Sequence, residues 1–75
     1  MLRKRIKNLG AKILYFRKKR GLTQEQLAER VGITAKYLSR IEKGNYPNSV
    51  SLTTMMLIAD KLSVHPSELL KDIED

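Results

Sequence analysis

The side chains in this sequence that are able to do chemistry are mostly cations, and they are unevenly distributed. The 75 residues carry a formal net charge of +7. Residues 1–20 contain nine Lys or Arg and no acid, whereas residues 21–75 contain six bases and all eight acids. Such an excess attracts polyanions. The chemistry that the first 20 residues favour is therefore electrostatic binding.

Catalysis and metal binding have little support in the residue types. There is no Cys, and His65 is the single His, so neither a thiolate site nor a His cluster is available. We interpret His65 as a helix cap or surface residue. No nucleophile–base pair or phosphate-binding loop is present, and a chain of this size leaves little room for a pocket. We expect no enzyme activity, no cofactor and no small-molecule ligand.

The apolar segments are too short for secretion or membrane insertion. The longest clearly apolar run covers residues 55–59. A signal peptide needs an apolar region of about 7–15 residues near the amino terminus, and a membrane-spanning helix needs about 20. The sequence therefore predicts a soluble cytoplasmic protein with no membrane partner.

Residues 23–43 (TQEQLAERVGITAKYLSRIEK) predict two short helices joined by a tight turn. Thr23 and Gln26 have the spacing of a capping box. Gly32 suits the left-handed conformation in which many helices end, and Thr34 is placed to cap the second helix. The apolar positions follow helical spacing: Leu27, Ala28, Val31, Leu38 and Ile41. Two helices so closely joined must cross steeply, and the small Ala28 allows this.

The remaining residues predict three further helices around one core. Two starts are open for helix 1. The apolar stripe permits a start near Leu2, but an interior Gly10 costs about 1 kcal/mol relative to Ala, and Asn8 is a possible N-cap. We favour the later start slightly, with helix 1 at about 9–20 and residues 1–8 as a basic arm. Ser51 is expected to cap helix 4, residues 52–62, whose apolar face comprises Leu52, Met55, Met56, Ala59 and Leu62.

Helix 5 is expected to open at Pro66, a favoured first position. Its expected apolar residues are Leu69 and Leu70, with Ile73 as a possible third. We divide the chain into a basic extension at 1–8 (arm or start of helix 1), a domain at 9–70 and an acidic tail at 71–75.

Residues 9–70 resemble a lambda-repressor-like DNA-binding domain of the Cro/repressor type, in the xenobiotic-response-element family. The resemblance rests on Gly-Leu-Thr-Gln-Glu-Gln-Leu-Ala at 21–28, Val-Gly-Ile at 31–33 and Ile-Glu-Lys-Gly at 41–44, with Ile13, Arg17, Leu38, Leu52, Ile58, Ala59, Leu62, Glu68, Leu69 and Leu70. It implies an all-α, compact five-helix fold with a helix-turn-helix. It also implies a transcriptional regulator, a repressor or autoregulator that binds a palindromic operator in double-stranded DNA as a homodimer. The sequence departs from the family pattern in a 45–51 loop about two residues longer than is common and in residues 1–8, which extend beyond the family's usual start.

The resemblance implies that the second helix of the motif, about residues 34–43, lies in the major groove. The implied base contacts are Thr34, Ala35, Lys36, Tyr37, Ser39 and Arg40. Arg40 suits guanine O6 and N7, and Ala35 suits a thymine methyl. For Tyr37, packing over the core of the motif is an open alternative.

The resemblance also implies a set of phosphate contacts and an internal ion pair. The phosphate contacts are Thr23, Gln24, Lys19, Arg20, Lys43, Asn45, Tyr46 and Asn48. Gln24 opens its helix, where free backbone N–H groups suit a phosphate. Arg17 and Glu42 are expected to form a structural ion pair between helix 1 and the end of the recognition helix.

Two other classes of function remain open from the residues. One is an antitoxin-like or adaptor module that uses this fold to bind protein, which Lys36 and Arg40 on the exposed face disfavour. The other is a membrane-surface helix built on residues 1–20. It explains the basic block but leaves the capped motif at 23–43 without a role.

Overall fold

The computed structural model describes residues 2–44 and 50–70, with side chains at 9–44 and 50–69. Every regular element in these ranges is a helix, so the predicted all-α class with five helices is confirmed. The helices are α1 (Leu2–Lys19), α2 (Gln24–Val31), α3 (Ala35–Glu42), α4 (Leu52–Lys61) and α5 (Pro66–Leu70). α1 packs on α3 and α5, α2 packs on α3 and α4, and α4 packs on α5.

The later start favoured for helix 1 is wrong, because α1 begins at Leu2 and Asn8 lies inside it. The physical reason is at Gly10. A Cβ at this position would collide with the carbonyl oxygen of Ile41 and lie 2.6 Å from that of Glu42. Gly10 is therefore required for the close approach of α1 to the end of α3, and it does not mark a helix boundary.

The predicted caps of α2 and α3 are confirmed. The Gln26 backbone N–H donates to Thr23 Oγ1 (3.0 Å), and the Thr23 N–H donates to Gln26 Oε1 (2.9 Å), which completes the capping box. Gly32 has φ +89° and ends α2 in the left-handed region. The Tyr37 N–H donates to Thr34 Oγ1 (3.0 Å) at the start of α3. These local interactions fix where both helices of the motif begin and how they are joined.

The start of α4 is as predicted, whereas its end uses an unexpected residue. Ser51 Oγ accepts the Thr54 N–H (3.1 Å). Beyond the C-cap Leu62, Ser63 adopts φ +59°, which is uncommon for a residue with a side chain. The Arg20 guanidinium donates to the carbonyls of Leu62 (2.7 Å) and Ser63 (3.3 Å). The side chain of Arg20, the residue that follows α1, thereby caps the end of α4.

His65 caps α5, in agreement with one of its two predicted roles. Its Nδ1 accepts the Ser67 backbone N–H at 3.1 Å. The Ser67 hydroxyl also lies 2.8 Å from this nitrogen. Pro66 follows as the first residue of α5, as expected. The side chain of Leu70, residue Ile73 and the 71–75 tail lie outside the described residues.

The core lies where the five helices meet. It consists of Leu9, Ile13, Leu27, Ala28, Val31, Leu38, Ile41, Ile58, Ala59, Leu62 and Leu69. The predicted apolar face of α4 is only partly correct, because Leu52 is 67% exposed and Met56 is 50% exposed. Helical spacing identified these residues as apolar neighbours, but the other helices cover the side of α4 that carries Ile58, Ala59 and Leu62, with Met55 partly buried at its edge.

Candidate nucleic-acid interface

α3 separates buried apolar residues from an exposed basic surface. Leu38 and Ile41 are fully buried, whereas Lys36 and Arg40 are exposed. This arrangement follows from the helical repeat, since the two exposed bases are four residues apart and share a face. Two long donor side chains on one face of a helix, whose opposite face packs against the core, can reach base edges in a major groove.

The other base-contact candidates divide by burial. Ala35 and Tyr37 are partly buried and pack against the core. For Tyr37 this geometry favours the packing role that the sequence left open. Ser39 is half-buried, and the exposed Thr34 uses its hydroxyl as the α3 cap. Lys36 and Arg40 are therefore the two candidates whose long donor side chains are both exposed and uncommitted to the fold.

Arg17 and Glu42 form the ion pair implied by the resemblance. Arg17 Nε donates to Glu42 Oε2 (2.6 Å), and Arg17 Nη2 donates to Oε1 (3.1 Å). Both residues are buried. A third guanidinium nitrogen, Nη1, donates to the Leu22 carbonyl (2.9 Å). The pair therefore joins the end of α3 to α1 and to the segment that leads into α2.

Gln24 belongs to the same network, a role that the sequence did not reveal. Its Nε2 donates to Glu42 Oε1 (3.0 Å), the oxygen that also accepts from Arg17. The amide nitrogen carries a second N–H, which remains for another acceptor. Gln24 is the first residue of α2, where the helix has backbone N–H groups without intrahelical partners. A donor fixed beside these groups suits an anion.

The remaining phosphate candidates, which lie near the ends of α1 and α3, have different surroundings. Lys19 is exposed, with Nζ 5.7 Å from the centre of the Tyr15 ring. Arg20 is engaged with the α4 carbonyls, which gives it a structural role that the sequence analysis missed. No local pattern signals this role, because its partners are more than 40 residues away in the chain. Lys43 is exposed, and Asn45, Tyr46 and Asn48 lie outside the described residues.

Membrane insertion and metal binding find no support in the described part of the chain. No helix there is both long and apolar enough to cross a membrane. No group of three or more His, Cys, Asp or Glu side chains is arranged to hold a metal ion within the same residues. The candidate site consists of the exposed donors of α3 and the donors at the start of α2.

Comparison with known proteins agrees with this geometry. A family model described as helix-turn-helix matches residues 13–69. The chain belongs to this helix-turn-helix family. The match includes α2, α3, α4 and nearly all of α5, together with the part of α1 from Ile13 onward. The resemblance identified from the sequence is thus confirmed.

Helix-turn-helix relatives of the chain include named regulators. An uncharacterized HTH-type transcriptional regulator of Methanothermobacter thermautotrophicus is 56% identical over 36 residues, covering 48% of this chain and 52% of the relative. The immunity repressor protein of Bacillus phage phi105 is 38% identical over 61 residues, covering 81% of this chain and 41% of the relative. The chain thus spans about half or less of the length of these relatives.

Solved helix-turn-helix structures share the fold over most of the chain. The restriction-modification controller protein C.AhdI from Aeromonas hydrophila has a TM-score of 0.79 at 31% identity, covering 85% of this chain and 94% of that one. SinR, a master regulator for biofilm formation solved in complex with DNA, has a TM-score of 0.77 at 32% identity, covering 84% and 98%. The five-helix arrangement is therefore that of known regulators.

Proposed function

We propose that the chain is a cytoplasmic, sequence-specific transcriptional regulator that binds double-stranded DNA through the 9–70 domain. The observation that carries this proposal is the geometry of α3, which exposes Lys36 and Arg40 while Leu38 and Ile41 hold it against the core. The fold likeness to SinR, whose structure contains DNA, supports it. In this proposal α3 lies in the major groove.

Base recognition is assigned mainly to the two exposed bases of α3. Arg40 donates from its guanidinium to guanine O6 and N7, and Lys36 donates to guanine or to a phosphate. The nearby Thr34, Ala35, Tyr37 and Ser39 line the same surface. Their smaller or partly buried groups give them shorter reach, so they supply contacts at the margin of the reading surface.

Phosphate binding is assigned to the start of α2 and the exposed bases beside it. The α2 dipole and its free N–H groups favour an anion. The second amide N–H of Gln24 joins them, while Glu42 holds the first. The described part of this set also includes Thr23, Lys19, Lys43 and Arg20. Such contacts position the protein on the duplex and carry no sequence information.

A homodimer on a palindromic operator completes the proposal. Leu52, Met56 and Leu57 are exposed on α4. An open groove of about 660 Å³ lies on the same face, between α4 and residues 64–66. A two-fold interface needs one patch that supplies both the protruding side chains and the groove that receives them. Binding to a palindrome needs two recognition helices about 34 Å apart, one turn of B-DNA, and a second copy on this α4 face is the arrangement proposed to supply them.

The decisive experiment is selection of bound duplexes from a random-sequence library, followed by affinity measurements. We expect one palindromic consensus, bound at least about 10³-fold more tightly than random DNA at physiological salt. Recovery of no consensus, with binding that falls steeply as salt rises, would contradict sequence reading. It would transfer the search to a protein partner, as the antitoxin-like or adaptor hypothesis requires.

Arg40→Ala tests the reading surface directly. We expect a loss of about 1–3 kcal/mol at the recovered site and a relaxed preference at one base pair. Arg30→Ala is the matched control, because Arg30 is an exposed arginine near the end of α2. An equal loss of affinity for every sequence would instead make Arg40 a phosphate contact.

A further inference from the structure

The two faces of α1 have different surroundings. Leu9, Ile13 and Arg17 are buried on the inner face. Tyr15, Lys18 and Lys19 are exposed on the outer face. The sequence of α1 contains eight Lys or Arg and no acid. At a rise of 1.5 Å per residue, its 18 residues extend for about 27 Å.

The positive charge of the outer face is not neutralised by the described residues. In residues 9–44 and 50–69, the acid paired with α1 is Glu42, and its partner is the buried Arg17. Lys18 and Lys19 pair with no acid in those ranges, and Lys19 lies over the Tyr15 ring at 5.7 Å. Since the ring is on the preceding turn, this contact holds the Lys19 ammonium along the outer face.

The carboxyl-terminal end of α1 adjoins the proposed phosphate site at α2. The Leu22 N–H donates to the Arg17 carbonyl at 3.1 Å. The side chains of Arg17 and Gln24 meet on one Glu42 oxygen, at 3.1 and 3.0 Å. Lys18 and Lys19 immediately follow Arg17. The end of α1 therefore lies beside the amide that is assigned to a DNA phosphate.

We infer that the outer face of α1 is a second phosphate-binding surface, which extends the contact from the start of α2 onto duplex DNA outside the recognition site. Lys18 binds a backbone phosphate there, beside Lys19, which connects this surface to the phosphate set at the start of α2. This inference rests on the proposed function, because it names a further part of the same DNA contact.

A membrane surface is a poorer occupant for α1. A helix lying in a membrane interface inserts its apolar face among the lipids. In α1 the apolar residues Leu9 and Ile13 are already buried in the protein core. The described outer face offers two ammonium groups and one tyrosine, which suits a hydrated polyanion better than a hydrocarbon layer.

The test is the salt dependence of DNA affinity in Lys18→Gln/Lys19→Gln. Each phosphate contact contributes about 0.9 to the slope of log Kobs against log salt, so the slope should decrease by about 1.8 in magnitude. This decrease should occur in full on an operator duplex with long flanks and fall to about 0.9, the contribution of Lys19, on a duplex trimmed to the recognition site. The order of preference among sequences should stay unchanged.

The control is Arg30→Gln/Lys61→Gln, which removes the same charge from two exposed residues outside α1. Equal slopes for the parent and the α1 variant would overturn the inference, as would an equal decrease in the control. Loss of binding to phosphatidylserine vesicles with an unchanged DNA slope would also overturn it. The comparison can be made on random-sequence DNA, so failure to recover a consensus would count against the proposed function alone.

Discussion

Glu42 lies at the end of α3, yet donors from two other helices converge on its carboxylate. Arg17 on α1 donates through Nε and Nη2, and Gln24 on α2 donates through Nε2. The Arg17 and Glu42 side chains are 9% and 3% exposed. Removing the carboxylate would leave a buried guanidinium without its counter-charge, which costs more than the intact pair contributes.

Glu42→Ala should therefore lower the free energy of unfolding by about 3–5 kcal/mol. Glu29→Ala provides the comparison, because Glu29 is exposed on α2 and its loss should stay within about 0.5 kcal/mol. Urea denaturation followed by circular dichroism measures both. Equal midpoints for the two variants would show that the network contributes little to stability.

At the scale of the elements, glycines at two positions serve different purposes. Gly10 lies inside α1, where the carbonyls of Ile41 and Glu42 leave no room for a Cβ. A Cβ at Gly32 would meet open space, but the φ of +89° disfavours any side chain there. The first glycine permits contact between two helices, and the second permits the turn between α2 and α3.

Gly10→Ala should destabilise the protein by at least about 2 kcal/mol, since overpacking against backbone atoms forces the helices apart. Gly32→Ala should cost about 1–2 kcal/mol through the left-handed backbone alone. Denaturant unfolding of both variants measures these losses. A gain of about 1 kcal/mol for Gly10→Ala, as helix propensity alone predicts, would contradict the close approach of α1 and α3.

The end of α4 offers a stabilising change. Ser63 adopts a left-handed conformation that Gly adopts without steric penalty. Ser63→Gly should raise the free energy of unfolding by about 1 kcal/mol. Ser63→Ala is the control, because it removes the hydroxyl and keeps the strained backbone, so it should bring no gain. Equal stabilisation by both variants in thermal melts would exclude backbone strain as the cause.

At the scale of the whole molecule, features set by neighbouring residues can be predicted from the sequence, whereas features set by contacts between distant residues cannot. Thr23, Thr34 and Ser51 cap their helices within three residues, and such patterns can be read from the chain. The start of α1 was predicted wrongly because the reason for Gly10 lies about 30 residues away, in α3. The roles of Arg20 and of the Gln24 amide also depend on distant partners, so only the folded chain reveals them.

The proposed homodimer gives a prediction at this scale. Met56→Ser should weaken self-association at least about tenfold. A two-fold interface contains Met56 from both subunits, so the substitution removes two apolar side chains from it. Tyr15→Ser is the matched control, since Tyr15 is also a large exposed side chain (58%) but lies on α1. Sedimentation equilibrium measures both. An unchanged dimerisation constant for Met56→Ser, or a monomeric parent bound to the palindrome, would exclude this α4 face as the interface.

The Glu42 network also sets a rule for redesigning the protein to read another operator. Residue 42 receives hydrogen bonds from α1 and α2, whereas Lys36 and Arg40 face solvent. A grafted recognition helix can therefore exchange positions 36 and 40 freely, but it must retain Glu at 42. Transplanting the 23–43 segment alone would discard Arg17, so the smallest portable unit includes α1.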